Sequence, residues 1–331
     1  MKMRFKLVLL LLLVALPAEV QAQFIFTTNN GAITITKYTG LGVAVTVPST
    51  INGYPVTGIG GSAFNMCWTV TSVTIPDSVT NIGDGAFYDC QSLANLTIPA
   101  SVTSIGRSAF YACTSLTSVS VPNGVTNIGD DTFDACLSLT SLTIPDTVTS
   151  IGNNACEDCT SLTNVTIGKN VTSIGAGAFF SCSLTSVIIP SSVTNIGTEA
   201  FGYSTSLRAI YFRGNAPRAD STMLFDSHNA TVYYLPGTAG WGYFSSNYGI
   251  RTVLWKPQVQ TSGASFGVQT NQFGFTIAWA SGMTVVVEAC TNLANPTWSP
   301  LATNILTGGS SYFSDSEWTN YPSRLYRLRS P

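Results

Sequence analysis

The sequence predicts a mainly β protein: a solenoid of about seven 23-residue repeats with parallel strands, followed by a small antiparallel β domain. Three observations lead there. An Ile-Gly pair recurs at Ile59, Ile82, Ile105, Ile128, Ile151, Ile174 and Ile196, in steps of 23 with a last step of 22. Each pair follows a short alternating run, closed by proline in most copies, and precedes a Phe and a Cys at fixed offsets. From Gly214 the period fails, and new alternating runs begin after Lys256-Pro257.

In chain order, residues 1–22 have the form of a secretory signal peptide. Lys2, Arg4 and Lys6 precede an unbroken apolar run from Leu7 to Leu16, then Pro17 and a small-residue exit at Val20-Gln21-Ala22. A bilayer span needs about 20 apolar residues, a length that neither this run nor any later segment reaches. The expectation is an exported chain with no membrane span, secreted or held at the cell surface. Residues 23–58 form an N-terminal cap and entry segment, with Pro48 to Pro55 as a longer link into the first repeat.

One repeat shows what its columns do. In Leu116-Thr-Ser-Val119-Ser-Val121-Pro122 the apolar residues alternate with polar ones, the period of a half-buried strand. Pro122 ends it because proline has no N–H for a sheet ladder. Val125, Ile128, Gly129, Phe133 and Cys136 follow, and the same columns run through residues 59–213. A unit of this size cannot bury its apolar side alone, so neighbours stack into one continuous core. Residues 214–256 are expected to be an irregular end cap for the last coil. In residues 257–331, runs at 273–278, 283–289, 311–314 and 324–328, separated by turn-rich stretches, predict a small β-sandwich-like module.

These columns resemble the BspA-type leucine-rich repeat, whose pattern is L-x-x-[LV]-x-[IV]-P-x-x-V-x-x-I-G-x-x-A-F-x-x-C. Departures are Cys156 in the Phe column, Gly168 in the Pro column, a residue lost between Cys182 and Leu184, and Ser204 in the Cys column. The resemblance implies a leucine-rich-repeat solenoid with parallel strands, and a role in adhesion to host or neighbouring-cell proteins. The end of the chain resembles a C-terminal module appended to many exported bacterial proteins.

Charged residues are 9% of the chain, which argues against nucleic acid, since phosphate neutralisation needs clustered Lys and Arg. The charge is uneven: Ile59 to Leu207 hold ten acids against Arg107 and Lys169, whereas residues 208–331 hold eight bases against five acids. Six cysteines, Cys67, Cys90, Cys113, Cys136, Cys159 and Cys182, share one column. They form either a ladder of buried small residues or, at the roughly 5 Å spacing of adjacent coils, pairs within disulfide reach. Cys156 and Cys159 have C-x-x-C spacing, but the two acids between them raise a thiol's pKa, so packing is the preferred reading over redox, with a local structural bridge as the alternative. The one histidine, His228, gives no triad, and the cysteine column lacks metal-ligand spacing. Asp84, Asp130 and Asp131 do not recur as a calcium ladder needs, and read as solvated loop acids. No catalytic residue, metal or cofactor is assigned.

Two polar columns remain. One runs through Thr57, Thr80, Thr103, Thr126, Thr149, Thr172 and Thr194; the other, on the strand, through Thr74, Thr97, Ser120, Thr143 and Thr166 before Ile188 and Tyr211 end it. Thr suits exposed strand positions without any ligand. The alternative is a flat hydroxyl-lined face for an extended partner, with Thr74, Thr97, Ser120, Thr143, Thr166 and Tyr211 as binding residues. Tyr88, Tyr111 and Phe180 either add aromatic contacts or cover the turn. The expected function is non-enzymatic binding of an extracellular or cell-surface protein. The alternatives are a glycan-binding or cell-wall-associated protein using Trp279, Trp298 and Trp318 in the C-terminal module, and a secreted hydrolase involving His228.

Overall fold

The computed structural model describes residues 23–261, 265–270, 272–321 and 323–330; the leader expected at 1–22 lies outside them. The chain divides into two compact units. One runs through Tyr233 and includes Ala239–Val253, and the other comprises Tyr234–Thr238 and the residues from Leu254 onward.

The first unit is the solenoid. Its short strands stack in register as the Ile-Gly spacing predicts: Ile59 faces Ile82, Ile82 faces Ile105, and Ile128, Ile151, Ile174 and Ile196 follow in parallel. A second row of three- and four-residue strands runs from Ala44–Thr46 through Ser72–Thr74, Asn95–Thr97, Ser118–Ser120, Ser141–Thr143, Asn164–Thr166, Ser186–Ile189 and Ala209–Phe212 to Thr231–Tyr234. In three-residue strands such as Ser118–Ser120 and Ser141–Thr143 the central residue points into the core and its flanking residues point out, which is the alternation seen in the sequence.

The Phe column is the spine of that core. Phe64, Phe87, Phe110 and Phe133 are fully buried, and successive rings stack at 4.9, 5.5 and 5.5 Å. The glycine after each Ile lets coils close up. A Cβ on Gly152 would stand 2.6 Å from the Asp130 amide nitrogen, and one on Gly175 would stand 2.5 Å from the Gly152 carbonyl carbon. The turn that carries Phe and Cys is kept tight by left-handed residues, among them Asp89 (φ 56°), Ala112 (φ 53°) and Ala135 (φ 56°).

The Cys column explains one departure in the pattern. The Sγ of Cys90, Cys113, Cys136 and Cys159 donates to the carbonyl of Phe64, Phe87, Phe110 and Phe133 in the coil before, at 3.0–3.2 Å. Ser204 does the same to Phe179 at 3.1 Å, and Ser227 to Phe201 at 2.8 Å. Serine fits because the column's common property is a small donor. The cysteines of the column are thiols.

Both ends differ in detail from expectation. At the start, the hairpin Phe24–Asn29 and Ala32–Tyr38 turns at Asn30-Gly31, both left-handed, as a tight hairpin turn requires. Its second strand pairs in parallel with Tyr54–Ile59, and Tyr38 stacks on Phe64 at 5.3 Å, which closes the core. At the other end, residues expected as an irregular cap carry the ladder further. Arg218 bridges Asn195, one place before the Ile position, Met223 is fully buried, and Ser227 occupies the Cys place. A helix, Trp241–Tyr248, then lays Trp241 on Phe212 at 4.9 Å.

The second unit contains two antiparallel sheets. Gln272–Ala278 is flanked by Gln258–Gln260, Gly267–Gln269 and Ser310–Asp315, and Thr284–Cys290 by Ser299–Ile305 and Leu325–Arg329. Phe275, Ile277, Trp279, Val285, Val287 and Phe313 share its core.

Candidate functional site

The expected binding residues lie where alternation puts them. Thr74, Thr97, Ser120, Thr143 and Thr166 are exposed on successive strands of the longer row, with Thr74 facing Thr97, Ser120 facing Thr143, and Thr143 facing Thr166. Tyr211 continues the column after Ile188 and stacks on Tyr233 at 4.9 Å. Two residues earlier on each strand a second polar column runs beside the first: Ser72, Asn95, Ser118, Ser141, Asn164 and Ser186. The sequence reading passed over it, although period two places i and i+2 on one face.

What distinguishes this face is that its hydroxyls are unspent. Among the described residues, the side chains of Thr74, Thr97, Ser120, Thr143 and Thr166 make no hydrogen bond. The other threonine column is different. Thr80, Thr103, Thr149, Thr172 and Thr194 each donate Oγ1 to the carbonyl of the column's previous threonine, at 3.0–3.4 Å. That column stitches coils together.

A groove of 470 Å³ runs along the short strands, lined by the glycine column with Asp84, Asp130 and Asn153. Three of its polar side chains are committed to the backbone. Asp84 Oδ1 accepts from the Arg107 amide at 2.9 Å, Asp130 Oδ1 from the Asn153 amide at 2.8 Å, and Asn153 Oδ1 from the Ala176 amide at 2.9 Å. Asp84, exposed, and Asp130, half-buried, are loop acids that also hold the following coil's backbone, so these groups of the groove serve the scaffold.

Comparison with known proteins now has a geometry to meet. A family model described as "BspA type Leucine rich repeat region" matches six copies over residues 45–154 and 126–240. The chain belongs to the BspA-type leucine-rich repeat family. Among solved structures, it resembles a leucine rich cell surface protein from Faecalibacterium prausnitzii A2-165 at 31% identity, covering 65% of this chain and 70% of that one with a TM-score of 0.54. It also resembles a leucine rich repeat protein of T. pallidum at 28% identity, covering 71% of this chain and 89% of that one with a TM-score of 0.48. No curated protein matches. Among the described residues no helix is long and apolar enough to cross a membrane.

Within this BspA-type frame the remaining candidates resolve. Cys156 and Cys159 are both buried; a hydrogen bond with Cys159, and then burial, hold the Cys156 thiol well above the ordinary range. Burial likewise pushes the Cys113 thiol up to about 12. Such groups are poor nucleophiles. His228 is exposed and lies 3.1 Å from Asp226, but the Ser227 hydroxyl between them in sequence points inward to Phe201. Trp279 is core: it is 7% exposed and its indole nitrogen donates to the Trp255 carbonyl at 3.0 Å. The Arg327 guanidinium covers the Trp298 ring at 4.5 Å, and Trp318 is partly buried in the turn Trp318–Asn320. The three tryptophans do not form one sugar platform.

Tyr88 stacks on Tyr111 at 4.6 Å, and Phe180 packs on Tyr203 at 4.9 Å. Between these pairs the same column holds Asp134 and Glu157. Burial, with Glu157 and Asp131 beside it, pushes the Asp134 carboxyl up to about 7. The described ion pairs place no cation on it.

Proposed function

We propose that this chain is an exported, non-enzymatic leucine-rich-repeat protein that binds an extracellular or cell-surface protein through the face of its longer strands. The observation that carries the reading is the pair of polar columns whose threonine and serine hydroxyls are exposed and unspent, beside a threonine column whose hydroxyls are consumed by the ladder. A row of donors and acceptors repeated at the roughly 4.8 Å strand spacing suits an extended protein segment. Adhesion is the biological form this takes in a family with a cell surface protein among its relatives.

The test is binding of residues 23–331 to immobilised matrix glycoproteins, comparing the parent with two variants. Ser120→Trp together with Thr143→Trp puts bulk on the face, and Ser104→Trp puts it on the short-strand ladder. Affinity should drop at least tenfold for the first and stay for the second. Equal binding by all three would reject the face as the site.

A further inference from the structure

We propose that the partner segment is acidic, and that its carboxylate docks in a notch between strands Asn164–Thr166 and Ser186–Ile189. The inference rests on the reading that this face binds a protein. Ladder pairing joins Ser141–Thr143 to Asn164–Thr166 and Ser186–Ile189 to Ala209–Phe212, but among the described residues none joins Asn164–Thr166 to Ser186–Ile189. Among these residues pairing is likewise missing between Asn95–Thr97 and Ser118–Ser120, but only at the later break is the coil one residue short, between Cys182 and Leu184. Beside this short coil lies a cavity of 270 Å³ whose lining includes Val165, Thr166, Lys169, Ser186, Ile188 and Arg213.

The chemistry of the notch differs from the rest of the face. Ile188, 43% exposed, replaces a hydroxyl with an apolar side chain, and Tyr211 is next in its column. The Pro column is broken on both sides, by Gly168 before Lys169 and by Arg213. Arg213 Nε is buried and has no hydrogen-bond partner, and no ion pair engages the guanidinium among the described residues. A buried unmade donor is costly, and a carboxylate is the group whose geometry fits a guanidinium edge. Lys169 Nζ lies 3.1 Å from Asp146 Oδ2, but both side chains are mostly exposed, so the pair is weak and open to exchange. Between Ile59 and Leu207 the bases are Lys169 and Arg107, the latter paired with Asp130, and Arg208, Arg213 and Arg218 follow. Two bases of the first unit, Lys169 and Arg213, therefore line the notch beside an exposed apolar patch, which fits an Asp or Glu next to a bulky apolar residue.

The experiment selects random dodecapeptides displayed on phage against residues 23–331. Selected peptides should pair an acid with a Leu, Ile, Phe or Tyr, and their affinity should fall with added salt. It should weaken at least tenfold on Arg213→Gln and by about threefold on Lys169→Gln, an exposed position whose replacement leaves the fold intact. Neutral peptides whose binding is blocked by Thr166→Trp would overturn the acidic requirement and leave the binding face standing. No selected peptide, or peptides indifferent to Thr166→Trp and Arg213→Gln alike, would overturn both. Polygalacturonate is the second probe. Its Arg213-dependent retention in the absence of acidic peptides would assign the notch to a glycan and overturn the protein partner.

Discussion

Replacing Cys113 asks whether the Cys column is a packing feature or a ladder of hydrogen bonds. Cys113 is fully buried and its Sγ lies 3.2 Å from the Phe87 carbonyl, with Cys90 and Cys136 repeating the contact on either side. In Cys113→Ser the donor is kept. Burying a hydroxyl instead of a thiol costs about 1–3 kcal/mol, offset by about 0.5–1.5 kcal/mol from a stronger bond to the same carbonyl, so the net loss is about 1 kcal/mol. In Cys113→Ala both the donor and the volume of the sulfur go. The lost bond, about 0.5–1 kcal/mol, adds to a methylene-sized void, about 1 kcal/mol, for a total near 2 kcal/mol. Urea denaturation followed by circular dichroism at pH 7 would rank parent, Ser and Ala in that order. If packing alone mattered, Ala would be the better tolerated, because it buries no hydroxyl. That reversal would refute the ladder, and a drop of the parent's midpoint on adding dithiothreitol would refute the free-thiol state.

Three further outcomes follow from the geometry. Phe110→Ala removes a fully buried ring stacked on both neighbours and should cost about 3–5 kcal/mol in the same denaturation assay. Asp134 has its carboxyl raised to about 7 by burial, then by Glu157 and Asp131. Between the ordinary carboxyl range and neutrality the folded chain holds a proton that the unfolded chain has released, so this group's contribution to stability is lost as pH rises through that window. Asp134→Asn should therefore melt with the parent near pH 4 and above it at pH 8, by about 1 kcal/mol after solvent screening; equal midpoints at pH 8 would dismiss the acidic cluster. Trp279→Ala should unfold the C-terminal sheets rather than strip a surface contact, visible as loss of near-ultraviolet dichroism in residues 23–331.

The repeats were legible because a parallel ladder imposes one geometry on every coil, so Ile, Gly, Phe and Cys each return wherever Ile59, Gly60, Phe64 and Cys67 first stand. Columns that share a property without sharing a residue type were not. Ser204 and Ser227 replace Cys as donors, and the last coil hid behind Ala219-Asp220 where Ile-Gly would be. The left-handed position before Cys is filled by Met66, Asp89, Ala112 and Tyr203, side chains with nothing in common. For the site, the strand alternation placed Thr74 to Thr166 outward, but only the hydrogen-bond partners separate that column from the one at Thr80. Trp279 could have been assigned from parity, since it follows Phe275 and Ile277 at steps of two and shares their buried side.

The thiols, the threonines of the bonded column and the amides held by Asp84, Asp130 and Asn153 all place the donor on the later coil and the acceptor on the earlier one. Such an arrangement has a direction, like a polymer that grows from one end. A coil added after its predecessor finds the carbonyls that its column thiol and threonine need already presented, and it presents the same two carbonyls to whatever comes next. Insertion or deletion of a whole 23-residue unit then leaves the thiol and threonine bonds of the flanking coils able to form. The number of units becomes a free variable that sets the length of the hydroxyl face in steps of roughly 4.8 Å.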